Sequence, residues 1–115
     1  MTSLPEAFAQ EIAGYRAARR LRDKVAAWRA LERAHILSQP KLALHLKAHL
    51  EMLKYAFVTR DAREFLGQMT RLALAPFGSL TGRIPYGNTG RANVSAFQPM
   101  PIPDDLRAVL GSADS

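Results

Sequence analysis

The chain has 115 residues, enough for one domain with a real core, and its lack of cysteine excludes disulfides and thiolate metal sites. Its formal net charge of +6 sits wholly in residues 1–60, where 11 Lys/Arg oppose 5 Asp/Glu, while residues 61–115 carry 5 of each. No run approaches the ~20 apolar residues of a membrane span. The first twenty residues do not read as a signal peptide, because acids interrupt the apolar residues and the basic residues follow them, so the cytoplasm is the expected compartment.

Ser3 followed by Glu6 fits a capping box, with Pro5 tolerated in a first helical turn. Phe8, Ile12 and Tyr15 then recur at the spacing of one helical face, which predicts a helix to about Arg20. Arg16, Arg19, Arg20 and Arg22 form a basic patch at its end. A patch of this kind attracts nucleic acid in some proteins. Here the charge is modest and no aromatics interleave with it, so a solvated helix face is favoured and nucleic acid is not expected as a partner.

Asp23 reads as the N-cap of a second helix carrying Trp28, Leu31 and His35 on one face, with Ala27 and Ala34 beside them; Pro40 ends it. A third helix follows, with Leu42, Leu46, His49, Leu53 and Phe57 as its apolar stripe. Asp61 caps a fourth, expected to turn Phe65, Leu66, Met69, Leu72 and Ala73 inward and to stop at Pro76 and Gly78. A 38-residue correspondence places Ala18, Arg22 and Asp23 opposite Ala56, Arg60 and Asp61. The pattern of helix, Arg-Asp turn, helix and proline suggests two stacked hairpins in the manner of tetratricopeptide repeats, although a plain bundle gives the same spacing.

From Gly78 the periodicity is lost. The stretch 78–103 is rich in Gly and Pro, yet Val94, Phe97, Met100 and Ile102 give it apolar groups that can dock between helices, which argues for an ordered tail. Asp104 then caps a short helix over 104–110, ended by Gly111, before a frayed terminus. The expected architecture is therefore one all-α domain over 1–115. It has four antiparallel helices over about 4–77, a tail over 78–103 and a short last helix.

The segments HILSQ (His35–Gln39), HLKAHLEML (His45–Leu53), GQMTRLALA (Gly67–Ala75) and GNTGRANVSAFQPMPIPDDL (Gly87–Leu106) resemble a family of small bacterial proteins of unknown function. The resemblance spans roughly residues 18–110 and departs at Ser38, where the family has glycine. It implies a single-domain bacterial protein in which the histidine segments and the Gly/Asn tail belong to one pattern, and it carries no activity.

All three histidines fall within 15 residues. His45 and His49 are one turn apart on one helix face, the spacing by which two imidazoles share a metal. If the second and third helices form a hairpin about Pro40, His35 faces them. Such a site suits a divalent transition ion (zinc, copper, nickel or iron) with Gln39, Glu51 or Met52 completing the shell. Leu46 stands where a zinc protease of the HExxH type has glutamate, and nothing singles out a haem. The competing reading makes the histidines hydrogen-bonded core groups of a helical interaction module, which could pair with its twin or bind another protein.

In the tail, Arg83, Asn88, Arg91 and Asn93 surround glycines that can cradle an anion. Tight turns through Gly and Asn at positive φ are favoured over that, and a lid over the histidine hairpin is an intermediate reading. Ser79, Thr89 and Ser95 lack the G-x-S-x-G setting of a hydrolase nucleophile.

Overall fold

The computed structural model describes residues 2–81, 84–95 and 98–113. Local chemistry starts three of the helices as the sequence predicts, whereas α3 opens at Lys41 without a side-chain cap and Asp104, expected to cap the last helix, lies within its first turn. The Ser3 hydroxyl accepts from the Glu6 N–H to open α1 (Leu4–Arg20), and Asp23 accepts from the Ala26 N–H to open α2 (Lys24–Ser38). After α3 (Leu42–Val58), Asp61 accepts from the Glu64 N–H at the head of α4 (Ala62–Thr81), and α5 spans Asp104–Ala113. Among the described residues the protein is all-helical. The first four helices pack in pairs, α1 on α2 and α3 on α4, with α2 against α3 and α5 against α1 and α2.

The two Arg-Asp turns have the same conformation. The Asp23 N–H donates to Ala18 O and the Arg22 N–H to Arg19 O; Asp61 and Arg60 repeat this onto Ala56 O and Phe57 O. Arg22 and Arg60 sit at φ of 57° and 58°. Both turns are therefore Schellman motifs with arginine where glycine is usual. The carbonyls of the preceding helix are satisfied and the next N-cap follows at once.

The main core lies between α1, α2 and α3. Tyr15 and Trp28 meet Tyr55 edge-on at 5.4 and 5.2 Å between ring centres, with Leu31 and Met52 fully enclosed beside them. A second cluster joins Leu4, Ile36 and Leu37 to Leu106 and Leu110 of α5, and Ile102 of the tail packs on it. Fully burying such a side chain is worth about 1.5–3 kcal/mol. Arg33 supports the same junction, pairing with Glu11 of α1 and Asp105 of α5.

Three expectations fail here. First, α4 does not stop at Pro76. It continues to Thr81, since an interior proline removes one hydrogen bond and the later turns form their own, with the Thr81 hydroxyl on Phe77 O at 2.7 Å. Likewise α5 passes Gly111. Second, Phe57 is exposed; of its expected stripe α3 fully buries His49, together with Ala48, Met52, Tyr55 and Ala56. Third, α4 is turned relative to its apolar stripe. Leu66 and Met69 are more than half solvent-facing or at half, and Ala73 is exposed, whereas Glu64, Gln68 and Ala75 are buried. The polar face is inward because the tail and the histidines supply hydrogen-bond partners for it.

The positive φ at Arg60 costs an L-residue roughly 1–2 kcal/mol that glycine avoids. Arg60→Gly is expected to raise the urea midpoint by the equivalent of roughly 0.5–1 kcal/mol, because glycine's greater unfolded-state freedom offsets part of the relief. Arg60→Val should lower the midpoint.

Candidate metal centre

His35 occupies the last turn of α2, and His45 and His49 lie one turn apart on α3. Because α2 packs along α3, the three rings meet edge to edge, with centres 4.6–4.9 Å apart. Their Nε2 atoms form a nearly equilateral triangle: 3.1 Å from His35 to His49, 3.1 Å from His35 to His45 and 3.2 Å from His45 to His49. His35 and His49 are buried, and His45 is partly exposed.

The surrounding hydrogen bonds fix the protons on two of the rings. His35 Nδ1 lies 2.7 Å from the Asn88 carbonyl, which can only accept, so Nδ1 carries the proton. His49 Nδ1 lies 2.7 Å from Gln68 Oε1. The orientation of that amide is set by its other end, where Nε2 donates to Glu64 Oε2 at 2.9 Å and to Gly90 O at 2.7 Å. His49 Nδ1 is therefore a donor too. In neutral rings both Nε2 atoms then present lone pairs to each other across 3.1 Å. His45 can donate one proton to one of them, which leaves the other unsatisfied.

Protonation does not resolve the conflict near neutral pH. Burial pushes His45 and His49 down to about 4, opposed at His49 by its bond to Gln68. Burial, reinforced by the other two rings, holds His35 well below the ordinary histidine value against the pull of the Asn88 carbonyl. All three rings are neutral at pH 7 and offer nitrogen lone pairs.

A second layer holds this geometry. Arg91 donates to Glu64 Oε1 at 2.6 Å, reaches Glu32 at 3.8 Å and lies over the Trp28 ring at 3.8 Å. Glu64 also accepts from the Ala92 N–H. Arg91, Glu64, Gln68 and His49 thus form one hydrogen-bonded chain, charge-assisted where it passes through Glu64. Asn88 spends its side chain on Ser95 O, Gln98 O and the Gly90 N–H, which presents its backbone carbonyl to His35. Gly90, at φ +81°, lies against the His35 ring so closely that a Cβ there would meet three ring atoms at 2.7–2.9 Å.

The remaining residues proposed from sequence are placed elsewhere. Gln39 binds the tail, donating to Pro85 O and accepting from the Gly87 N–H, so neither end of its amide is free for an ion. Glu51 pairs with Lys54 at 3.5 Å, and Met52 is enclosed in the main core. Arg91 faces carboxylates rather than an anion site, and Asn93 is exposed. Arg83 and Phe97 lie outside the described residues. Among the described residues of the tail, the positive-φ positions are Gly87 and Gly90, not Asn88.

Sequence reasoning missed Glu64, Gln68 and Arg71. Their spacing of i, i+4 and i+7 marks one face of α4, and a polar face is ordinarily solvated. Of these three, Arg71 joins the histidines in bordering a cavity of about 300 Å³ walled by α4 and the tail, with Leu74, Phe77, Ile84 and Pro85 as its apolar lining and Arg71 as its charged group.

Each depressed histidine makes the unfolded chain the better proton acceptor. The stability of the metal-free protein is therefore full above about pH 6.5 and declines as pH falls toward 4, by up to about 1.4 kcal/mol per pH unit for each ring. His45→Gln removes one such ring. The stability difference between the parent and this variant, from urea unfolding, is expected to shift against the parent by more than 1 kcal/mol between about pH 7 and 4.5. Gly90→Ala should cost about 1–3 kcal/mol by overpacking against His35.

No curated protein and no solved structure matches the chain. Residues 2–110 match the family described as protein of unknown function (DUF3703). The chain belongs to that family, whose description names no activity.

Proposed function

We propose that this protein binds a divalent transition-metal ion on His35, His45 and His49. The observation that carries the reading is the pair of opposed Nε2 lone pairs on His35 and His49, joined at equal distance by His45. Two neutral acceptors facing each other in a buried site are unfavourable by themselves, and a shared cation turns both into ligands. The nitrogen spacing suits an ion without rearrangement. At metal–nitrogen bonds of ~2.05 Å, separations of 3.1–3.2 Å put the ion about 1 Å out of the nitrogen plane with angles of about 100°.

Three neutral imidazoles and no carboxylate favour zinc, copper, nickel or iron over magnesium or calcium. Three protein ligands with further positions open to a cavity are the arrangement of catalytic rather than structural sites. Gln68 and the Asn88 carbonyl act as the outer partners that orient ligating histidines and raise their basicity.

The interaction-module reading has one observation in its favour, the exposed apolar stripe of Leu66, Met69, Phe77 and Leu80 on α4. It gives no account of the opposed lone pairs. The two readings separate on metal content. Protein purified without a histidine tag is expected to hold one transition ion per chain by elemental analysis, or to take up one after dialysis against it. Gln68→Leu should weaken the ion 10–100-fold, and His49→Ala should weaken it further. Absence of stoichiometric uptake, with His49→Ala no different from the parent, would overturn the metal reading.

A further inference from the structure

We infer that the cavity beside the three histidines takes a small carboxylate with an apolar body, its carboxylate on the open metal position and its body along α4. The inference rests on the metal reading and deepens it by naming the ligand class.

The first ground is charge. The described residues that line the cavity include no aspartate or glutamate, yet they include Arg71 and the three ligands. A dication on neutral imidazoles adds two positive charges next to that guanidinium. Arg71 donates to two carbonyls, Gly67 O and Val94 O, at 3.1 and 2.7 Å, and forms no ion pair among the described residues. Its Nε is buried without a hydrogen-bond partner. Glu64 lies close enough to act on Arg71, but its oxygens are engaged by Arg91, Ala92 and Gln68. Positive charge held in an apolar enclosure is costly until an anion joins it. A neutral or cationic ligand would leave that cost in place.

The second ground is shape and lining. Leu74, Ala75, Phe77, Ile84 and Pro85 give an apolar wall, and the polar side chains beside it are already engaged, Thr81 with Phe77 O, Gln39 with Pro85 O and the Gly87 N–H, and Asn88 with Ser95 O, Gln98 O and the Gly90 N–H, so the part of the ligand away from the metal is apolar. A cavity of ~150 Å³ is enough for benzene. At about 300 Å³ this one has room for an aromatic ring with a short chain and a carboxyl group. Sugars, nucleotides and polar amino acids would bury hydroxyl, phosphate or ammonium groups against this wall without partners.

The test uses the full chain loaded with cobalt(II), whose visible spectrum reports the ligand at the open position. 3-Phenylpropanoate is titrated beside 3-phenylpropan-1-ol and acetate. The phenylpropanoate is expected to change the spectrum saturably and at least tenfold more tightly than either comparison ligand, because only it satisfies both the charge and the wall. Arg71→Gln should reduce its affinity at least tenfold while cobalt stoichiometry stays at one. Since Arg71 also holds two carbonyls, Leu74→Trp serves as a second variant that fills the apolar part and touches no polar contact. It should weaken phenylpropanoate at least tenfold and leave acetate unchanged. Cobalt bound one to one with equal or no response to the three ligands, or full phenylpropanoate affinity in Leu74→Trp, would overturn this inference and leave the metal reading standing. Failure to bind cobalt at all would overturn both.

Discussion

Two imidazole lone pairs turned toward each other across 3.1 Å set the terms for the structure around them. A buried histidine ordinarily uses one nitrogen to donate and the other to accept. Here both donors are drawn outward, to the Asn88 carbonyl and to Gln68 Oε1, so the acceptors are forced inward. Reversing the Gln68 amide would not relieve this, because its oxygen would then face Glu64 and the Gly90 carbonyl, two groups that only accept. The arrangement is therefore imposed from the outside inward, from Arg91 through Glu64 and Gln68 to the ring. An unsatisfied buried acceptor costs about 1–3 kcal/mol. A fold that fixes this cost with so many contacts has a geometry suited to a cation and poorly suited to plain core packing.

The same constraint explains how the described residues of the tail are held without regular secondary structure. Besides turn bonds such as Asn88 N–H to Pro85 O and Met100 N–H to Tyr86 O, its backbone groups are satisfied by side-chain amides and a carboxylate. Gln39 binds Pro85 and Gly87, Asn88 gathers Gly90, Ser95 and Gln98, and Glu64 takes the Ala92 N–H. These partners lie on α2 and α4 or within the tail itself, so the segment is held across the mouth of the hairpin. The inward turn of the polar face of α4 follows directly, because only that face offers groups the tail and His49 can bond.

Much of the fold is legible in the sequence because it depends on short-range chemistry. Ser3, Asp23 and Asp61 announce helix starts, and the paired Arg-Asp turns are visible as a 38-residue correspondence because both turns need the same hydrogen bonds. The convergence of the histidines is legible too, since i, i+4 spacing on α3 and a proline-bounded reversal after His35 leave little freedom. The rotation of α4 is not legible. Leu66, Met69 and Ala73 define a convincing apolar face, and nothing local tells that Glu64 and Gln68 have partners 22–28 residues away in the tail. Periodicity reports which face is apolar. It becomes a statement of burial only when water is the best alternative partner for the polar face, and here the tail is better. Pro76 misleads for a related reason, since a helix continues past proline when its later turns are satisfied.

The tail and the histidines are linked in both directions. The Asn88 carbonyl holds His35, Gly90 lies against that ring, and the Gly90 carbonyl holds the amide that fixes His49. Lifting the tail would release the outer donors of both rings at once, and each could then rotate or exchange its proton to escape the opposed lone pairs. The triangle of acceptors therefore exists only while the tail is docked. By linkage, whatever binds the triangle favours the docked tail by the same free energy with which the docked tail favours binding. The cavity is walled in part by Ile84, Pro85, Asn88 and Gly90, so a ligand seated there would touch the element that assembles the site. On the metal and ligand readings proposed above, ion, cavity ligand and tail would form one cooperative unit built on α2, α3 and α4, while α1 and α5 lie outside it and support the hydrophobic cores.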